Sequence, residues 1–317
     1  MQSIFLIIPD FLLILLGSFL AHGLKYSGEF WRYCEKLVFY VLFPPLLFLS
    51  VKNAHIAVTD ASFFLTVAVG AMLLAVVSSY AVRFVHRTDA VTTASAFQCG
   101  FRFNTYIGFA ICLRLFGADG FSLLALLIAF WVPISNVIAV AALAAAVSKN
   151  ENVSAGKRLL RVVTQVIKNP LIIATVLGLI ANVTAFPLPG IAETLLKSLG
   201  NASLALGLLC IGASLKVADL KENFSLMTVC TAQRLIVVPA VAYAVALLCG
   251  LDPLSAGVLV LFAALPTAQS CYVMTAAMGG NAPAVADITT SQTLFALVTL
   301  PLWTHFALLP LATQIAF

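Results

Sequence analysis

The chain is organised around one polar stretch inside an apolar run: residues 98–108 read QCGFRFNTYIG. An arginine, an asparagine, a threonine and two glycines stand where a membrane helix would carry hydrocarbon side chains. Polar groups at the centre of a bilayer are costly unless protein, water or a ligand solvates them. Residues 98–108 therefore predict one half of a ligand site within the membrane.

The composition identifies a membrane protein. Of 317 residues, 62% are hydrophobic and only 9% are charged, whereas soluble domains contain about 25% charged residues. The net charge of +5 comes from basic residues in short loops between apolar runs, so it does not predict a nucleic-acid partner. The seven cysteines show no CxxC or Cys/His spacing, which predicts buried apolar side chains, no metal site and no cofactor.

Hydropathy predicts an all-α membrane protein with ten transmembrane helices. The spans are residues 2–22, 33–52, 61–83, 91–115, 120–147, 163–185, 192–215, 224–249, 254–278 and 283–310. The longest polar connection divides the chain into a first half (1–148), a connecting loop (149–161) and a second half (162–317). Eleven lysines and arginines lie in the loops after spans 1, 3, 5 and 7, against three on the opposite side. The basic side is predicted to be cytoplasmic, with both termini outside.

The two halves resemble each other. A shift of 161 residues aligns Pro9 with Pro170, Gly17 with Gly178, Lys36 with Lys197 and Phe63 with Phe224. Because each half has an odd number of spans, the second half enters the membrane in the opposite direction. The pattern predicts two inverted five-helix repeats, an arrangement typical of secondary transporters.

A second polar interruption lies at the equivalent place in the second half. Residues 265–270 of the ninth span read LPTAQS, and the shift places Leu265 opposite Asn104. A proline within a helix removes one backbone hydrogen bond and clashes with the preceding turn. Paired interruptions in corresponding spans are the best sequence indication of a transporter site.

The chemistry of a broken helix favours an anion. Its second half begins with unpaired N–H groups that carry partial positive charge. Asn104 or Thr105 is expected to cap that start in the fourth span, and Pro266 suits the first helical position in the ninth. The predicted substrate-binding residues are Arg102, Asn104, Thr105, Gly108, Asn136, Arg234, Pro266, Thr267, Gln269 and Ser270.

Three charged residues within the spans have alternative interpretations. Arg102 either binds a substrate carboxylate through two hydrogen bonds, pairs with a backbone carbonyl, or extends to the membrane edge. Arg234 either pairs with a carbonyl that a helix break frees, or contacts the anion. Asp287 is a possible proton carrier, an arginine partner, or a charge stabilised at a helix start.

This arrangement resembles the auxin efflux carrier family, in its bacterial members, over the whole chain. Residues 103–108, FNTYIG, are similar to the family signature Asn-Thr-x-x-x-Gly, and residues 265–268, LPTA, are similar to its second crossover. The resemblance implies that the two broken helices cross at the binding site. It implies a scaffold and dimer contact of spans 1, 2, 6 and 7, and a transport unit of spans 3–5 and 8–10 that moves as an elevator. It also implies a carboxylate substrate and the bacterial inner membrane.

One departure from the family concerns the fourth span. The family often has Gly-Ile-Pro where this chain has Gly108-Phe109-Ala110. Without the proline, the break depends on Gly100, Asn104 and Gly108. We therefore expect a shallower break or a less symmetric site.

The sequence thus predicts a secondary active or facilitated transporter of a small organic anion. A sodium-coupled symporter of the bile-acid type is the alternative, although no dense cluster of acids and amides marks a sodium site. A membrane sensor is a remote alternative, because the longest loop has only about 14 residues. No HExxH, GxSxG or phosphate-binding Gly-Lys-Ser/Thr motif is present, so we do not expect an enzyme.

Overall fold

The computed structural model describes residues 2–53, 58–84, 89–147, 168, 170–215 and 224–311, and within them every regular element is a helix. The α-helices are α1 (Gln2–Ser18), α2 (Gly28–Leu37), α3 (Phe43–Lys52), α4 (Val58–Ser79), α5 (Ala90–Phe97), α6 (Thr105–Val147), α7 (Pro170–Val183), α8 (Gly190–Ser214), α9 (Phe224–Ala232), α10 (Val238–Leu248), α11 (Pro253–Ala264), α12 (Ser270–Ala277) and α13 (Ala282–Trp303). Short π or 3-10 turns extend or join several of them: Phe19–Gly23, Val38–Leu42, Tyr80–Phe84, Gln98–Gly100, Gln233–Val237 and Thr304–Leu308.

Within the described ranges, six helical runs are long and apolar enough to cross a membrane. They are Gly28–Lys52, Ala61–Phe84, Ala90–Val147, Gly190–Ser214, Phe224–Leu248 and Ala282–Leu311. Three shorter apolar helices accompany them: Ile8–Gly23, Pro170–Val183 and Pro253–Ala264. The helical membrane class predicted from composition is confirmed. The connecting loop 149–161 lies outside the described residues, as do seven of the basic residues that set the orientation: Arg87, Lys149, Lys157, Arg158, Arg161, Lys216 and Lys221.

The run Ala90–Val147 is not one crossing. Its 58 residues would extend about 87 Å as a straight helix, against a hydrocarbon core of about 30 Å. Gly117 turns the chain inside α6, with a φ of 63° and a ψ of −156°. Glycine adopts this left-handed φ without steric cost. The turn lies between the predicted spans 91–115 and 120–147.

The helix that contains the second predicted span begins earlier than expected. Ser27 caps α2, and its side chain accepts a hydrogen bond from the Phe30 N–H. The prediction placed this start at residue 33, only two residues before Glu35. In the structure Glu35 lies in the third turn of α2, inside the run Gly28–Lys52.

Two glycine contacts hold the helices close together. A Cβ at Gly17 of α1 would lie 2.1 Å from the Leu209 carbonyl oxygen of α8, and a Cβ at Gly178 of α7 would lie 2.8 Å from the Phe48 carbonyl oxygen of α3. Only glycine permits these backbones to approach so closely. Two of these helices, α7 and α8, also contribute to one wall of the site described below.

An ion pair joins α1 to α6. Arg114 Nη2 lies 2.9 Å from Asp10 Oδ1, and Arg114 Nε lies 2.9 Å from Asp10 Oδ2. The Asp10 side chain is buried, whereas Arg114 is partly exposed. The two-point contact fixes the position of α1 against the second half of the fourth predicted span.

Candidate functional site

Two helix breaks form the centre of the site. The first break, residues 101–104, separates α5 and its 3-10 turn from α6. The second break, residues 265–269, separates α11 from α12. The breaks touch directly, because the Asn104 N–H donates to the Pro266 carbonyl at 2.8 Å. The first break is as complete as the second, so the absence of the family proline has not made it shallow.

Side chains bind the carbonyls that the first break frees. Trp131 Nε1 donates to the Phe101 carbonyl at 3.1 Å. Gln292 Nε2 donates to the Cys99 carbonyl at 3.4 Å. A buried carbonyl without a donor is costly, so these contacts stabilise the interruption.

A buried arginine performs the same role at the second break. Arg234 Nε donates to the Leu265 carbonyl at 2.7 Å, and Nη2 donates to the Phe262 carbonyl at 3.1 Å. The side chain is fully buried, and its Nη1 has no hydrogen-bond partner within the described part of the chain. This geometry matches the predicted pairing of Arg234 with a carbonyl freed by a break.

Proline ends α11 but does not begin α12. Leu265, the residue before Pro266, is extended with a ψ of 142°, because proline disfavours the α conformation in the residue before it. α12 starts only at Ser270, after the N-cap residue Gln269. The prediction that Pro266 occupies the first position of the second half is therefore wrong. Its carbonyl instead accepts the contact from Asn104.

The two helix starts differ in their capping. Asn104 Oδ1 accepts from the N–H groups of Tyr106 at 3.1 Å and Ile107 at 3.3 Å, so Asn104 is the predicted cap of α6. The start of α12 has no side-chain cap. Among the described residues, no acceptor bonds to the backbone N–H groups of Ala268, Gln269 and Ser270. Three adjacent amide donors are thus left at the second break.

A cavity of about 140 Å³ lies where both helix starts meet. One wall consists of Asn104, Thr105, Tyr106, Ala268, Gln269 and Ser270, and the other consists of Glu35, Phe39, Leu171, Cys210 and Ile211. The first wall belongs to the breaks, and the second belongs to α2 with its π turn, α7 and α8. The three residues that carry the free amides, Ala268, Gln269 and Ser270, therefore line an open cavity.

Arg102 lies behind this wall. Its Nη2 donates to Ser270 Oγ at 2.8 Å, and its Nη1 lies 3.2 Å from Gln98 Oε1 and 3.2 Å from Met274 Sδ. No carboxylate pairs with it among the described residues. Its uncompensated charge adds to the partial charge at the start of α12.

The structure brings together some of the predicted site residues. Four line the cavity: Asn104, Thr105, Gln269 and Ser270. Arg102, Gly108, Pro266 and Thr267 lie next to the cavity in the breaks or on α6, and the Thr267 N–H donates to Gln292 Oε1 at 2.9 Å.

Three predicted residues do not line the cavity. Arg234 lies behind the second break, and Asn136 is half-buried in the second part of α6. Asp287 is buried in α13, beyond the first turn of that helix. It is therefore not the helix-start charge that one interpretation proposed.

The sequence interpretation missed Glu35, Phe39, Tyr106, Leu171, Cys210, Ile211 and Ala268 on the cavity walls. Only Glu35 carried a signal that could have been used. Ser27 is a favoured N-cap residue, and a helix started there would have placed Glu35 deeper within the membrane span than the predicted start at residue 33 did. The apolar residues resemble any other core position.

Comparisons with known proteins identify the family. A family model described as "Membrane transport protein" matches residues 3–304. The chain belongs to this family. The resemblance to auxin efflux carriers is confirmed, since these carriers are the same family.

Two relatives within the membrane transport protein family are distant in sequence. A Rhizobium meliloti protein named "Putative malonate transporter" is 25% identical over 272 residues, which cover 85% of this chain and 84% of that protein. A Methanothermobacter thermautotrophicus protein named "Uncharacterized transporter" is 25% identical over 217 residues, covering 68% of this chain and 67% of that protein.

Proposed function

We propose that this membrane transporter carries a small organic anion, a mono- or dicarboxylate, which binds in the cavity between the two breaks. The supporting observation is the row of three unbonded amide N–H groups at residues 268–270, with Arg102 directly behind Ser270. Backbone amides at a helix start bind carboxylates and phosphates without further groups. An uncompensated arginine nearby strengthens that preference.

The size of the cavity restricts the substrate. An apolar cavity of about 150 Å³ accommodates benzene, a molecule of six heavy atoms. The present cavity has about 140 Å³, so it suits an anion of similar size. Malonate has seven heavy atoms, and the name of the Rhizobium meliloti relative makes it the first compound to test.

We propose ten crossings in two inverted repeats, in which α1, α2 with α3, α7 and α8 form the scaffold and a homodimer contact. The glycine contacts support the repeat. Gly17 approaches Leu209, and Gly178 approaches Phe48. A shift of 161 residues converts each partner of the first contact into a partner of the second, so the two contacts are equivalent under the predicted repeat.

The remaining helices form the unit that moves by an elevator mechanism in the bacterial inner membrane. The cavity wall from the scaffold belongs to the first half of the run Gly28–Lys52, the start of α7 and the end of α8, which are nearest the basic loops. We propose that this side is cytoplasmic, that both termini are outside, and that the cavity opens inward. The Asp10–Arg114 ion pair lies toward the other side and closes it in this state.

We propose transport without sodium. In sodium-coupled transporters, unwound carbonyls at half-helix ends coordinate the ion. Here Arg234 takes the carbonyls of Phe262 and Leu265, and the Trp131 indole takes that of Phe101. These carbonyls are therefore not available as sodium ligands. The positive charge of Arg234 at the second break would also repel a sodium ion. Proton coupling through Asp287 stays a separate hypothesis.

Purified protein tests the anion proposal. Malonate, malate and acetate are each added to the protein, with chloride as the control, and thermal unfolding is followed. We expect at least one carboxylate to raise the unfolding temperature. The same compound should enter proteoliposomes equally with and without a sodium gradient. If no carboxylate stabilises the protein or enters the liposomes, the anion proposal is wrong. Uptake that requires sodium would restore the bile-acid type alternative.

A further inference from the structure

Glu35 is the acidic residue that shares the cavity with the proposed anion. It extends from α2, and Phe39, one helical turn later, lines the same wall. The opposite wall carries the free amides of Ala268, Gln269 and Ser270. A negative side chain therefore faces the donors that would hold a negative substrate.

No described residue neutralises the Glu35 carboxylate. Among the described residues, no cation and no hydrogen-bond donor pairs with it. The cations on its own helix are engaged elsewhere, since Arg32 pairs with Glu29 at 3.6 Å and Lys36 lies 5.6 Å from the centre of the Tyr33 ring. The side chain is exposed and lines the cavity, which opens to the cytoplasm in the proposed orientation, so a proton reaches Glu35 from that side.

The other titratable groups that the structure describes around the cavity do not compensate the charge of Glu35. α6 contributes the phenol of Tyr106, α8 contributes the thiol of Cys210, and Cys34 precedes Glu35 on α2. Phenols and thiols are neutral at physiological pH. The described part of α7 and residues 268–270 contribute no titratable side chain. Lys168 precedes α7 and is exposed, without an ion pair to Glu35.

We propose that Glu35 is a proton-dependent gate of the anion site. Two carboxylates that share a small site do not both stay ionised, and one of them takes a proton. The anion therefore enters the cavity when a proton from solvent is bound to a Glu35 carboxyl oxygen. When Glu35 is ionised, it repels the anion from the amides of residues 268–270. The gate rests on the proposed function, because it presupposes an anion in this cavity.

The sign of the pH dependence follows from this competition. Protonated Glu35 favours anion binding, so malonate affinity is highest at low pH and falls as the pH rises through the titration of Glu35. For a single linked proton, the dissociation constant rises about tenfold per pH unit above that titration. Malonate also gains and loses protons in this range, so the comparison between wild type and variant isolates Glu35.

The test is calorimetric titration of the purified full chain with malonate between about pH 5 and about pH 8, in buffers of different ionisation enthalpy. We expect wild type to take up about one proton more per bound malonate than Glu35→Gln. The variant copies the protonated carboxyl in shape and charge, so at about pH 8 it should bind malonate at least tenfold more tightly than wild type. Thermal unfolding checks that the variant is folded.

Glu29→Gln is the matched control. Glu29 lies on the same helix and its carboxylate is exposed beside Arg32, outside the cavity, so this variant should keep the wild-type pH dependence. If wild type and Glu35→Gln bind malonate with equal affinity and take up equal numbers of protons at every pH, the gate proposal is wrong, but the anion site is not contradicted. If neither protein binds malonate or any carboxylate of the panel at any pH, the proposed function fails, and the gate with it.

Discussion

The first and second breaks interrupt their helices in the same way, but different groups stabilise them. At the first break a neutral indole, Trp131, binds the Phe101 carbonyl. At the second break a charged guanidinium, Arg234, binds the carbonyls of Phe262 and Leu265. Phe101 and Phe262 are equivalent under the shift of 161 residues. The freed carbonyls therefore receive a hydrogen bond from a neutral donor at the first break and from a buried cation at the second.

The helix starts that follow the breaks also differ: a side chain caps the start of α6, and none caps the start of α12. Asn104 caps α6 and accepts from the amides of Tyr106 and Ile107, whereas all three amides of residues 268–270 at α12 are left for a ligand. The two breaks therefore have different tasks. The first break has a structural task, and the second break supplies the donors of the proposed anion site.

The largest expected effect concerns the carbonyls at the second break. Arg234→Leu should lower the free energy of unfolding by about 2–5 kcal/mol, because two buried carbonyls lose their donors at about 1–3 kcal/mol each, partly offset by removal of a buried charge. Trp131→Phe, the matched change at the first break, removes one donor and should cost about 1–3 kcal/mol. Denaturant unfolding in micelles, followed by circular dichroism, measures both. An Arg234→Leu protein as stable as the Trp131→Phe protein would contradict the difference between the breaks.

The next effect concerns the charge behind Ser270. Arg102→Ala should weaken malonate binding about 10- to 100-fold and abolish measurable uptake, since hydrogen bonds to charged groups contribute about 1.5–3 kcal/mol. The unfolding temperature should change little, because Arg102 is only half-buried. Arg102→Lys keeps the charge and should retain part of the affinity. Wild-type uptake by Arg102→Ala in proteoliposomes would remove Arg102 from the site.

Asn104 separates the structural task from the electrostatic one. Asn104→Ala removes the cap of α6 and should cost about 0.5–2 kcal/mol of stability. Asn104→Asp keeps an acceptor for the Tyr106 and Ile107 amides but adds a negative charge to the cavity wall. It should be as stable as wild type and bind malonate more weakly. If Asn104→Ala stays fully stable but loses malonate binding, the first break takes part in substrate binding as well.

Gly108 should show the smallest effect. A Cβ at Gly108 would lie 2.7 Å from Leu265 Cδ1, which is the movable end of a side chain. Alanine gains about 0.5–1 kcal/mol over glycine within a helix, so Gly108→Ala should stay within about 1 kcal/mol of wild type and keep its uptake. Thermal unfolding and proteoliposome uptake measure both quantities. A clear loss of uptake would show that the two breaks must approach more closely during transport than they do here.

Much of the site was predictable because polar residues are conspicuous in apolar spans. Arg102, Asn104 and Pro266 marked both breaks, and Asn104 was a capping candidate by residue type. The position of Pro266 was misjudged, because proline is equally common at a helix start and beyond a helix end. Glu35 was missed because the predicted start of its helix was five residues late.

The sequence by itself determined the helical membrane class, the family and the positions of both breaks, since each depends on hydropathy or on a residue type at one place. The tertiary structure decided which backbone groups are free. Asn104 meets Pro266 across the chain, and Gln292 reaches both Cys99 and Thr267. Such partners are distant in sequence, so no local pattern shows that the α12 amides stay unbonded or that Glu35 faces them.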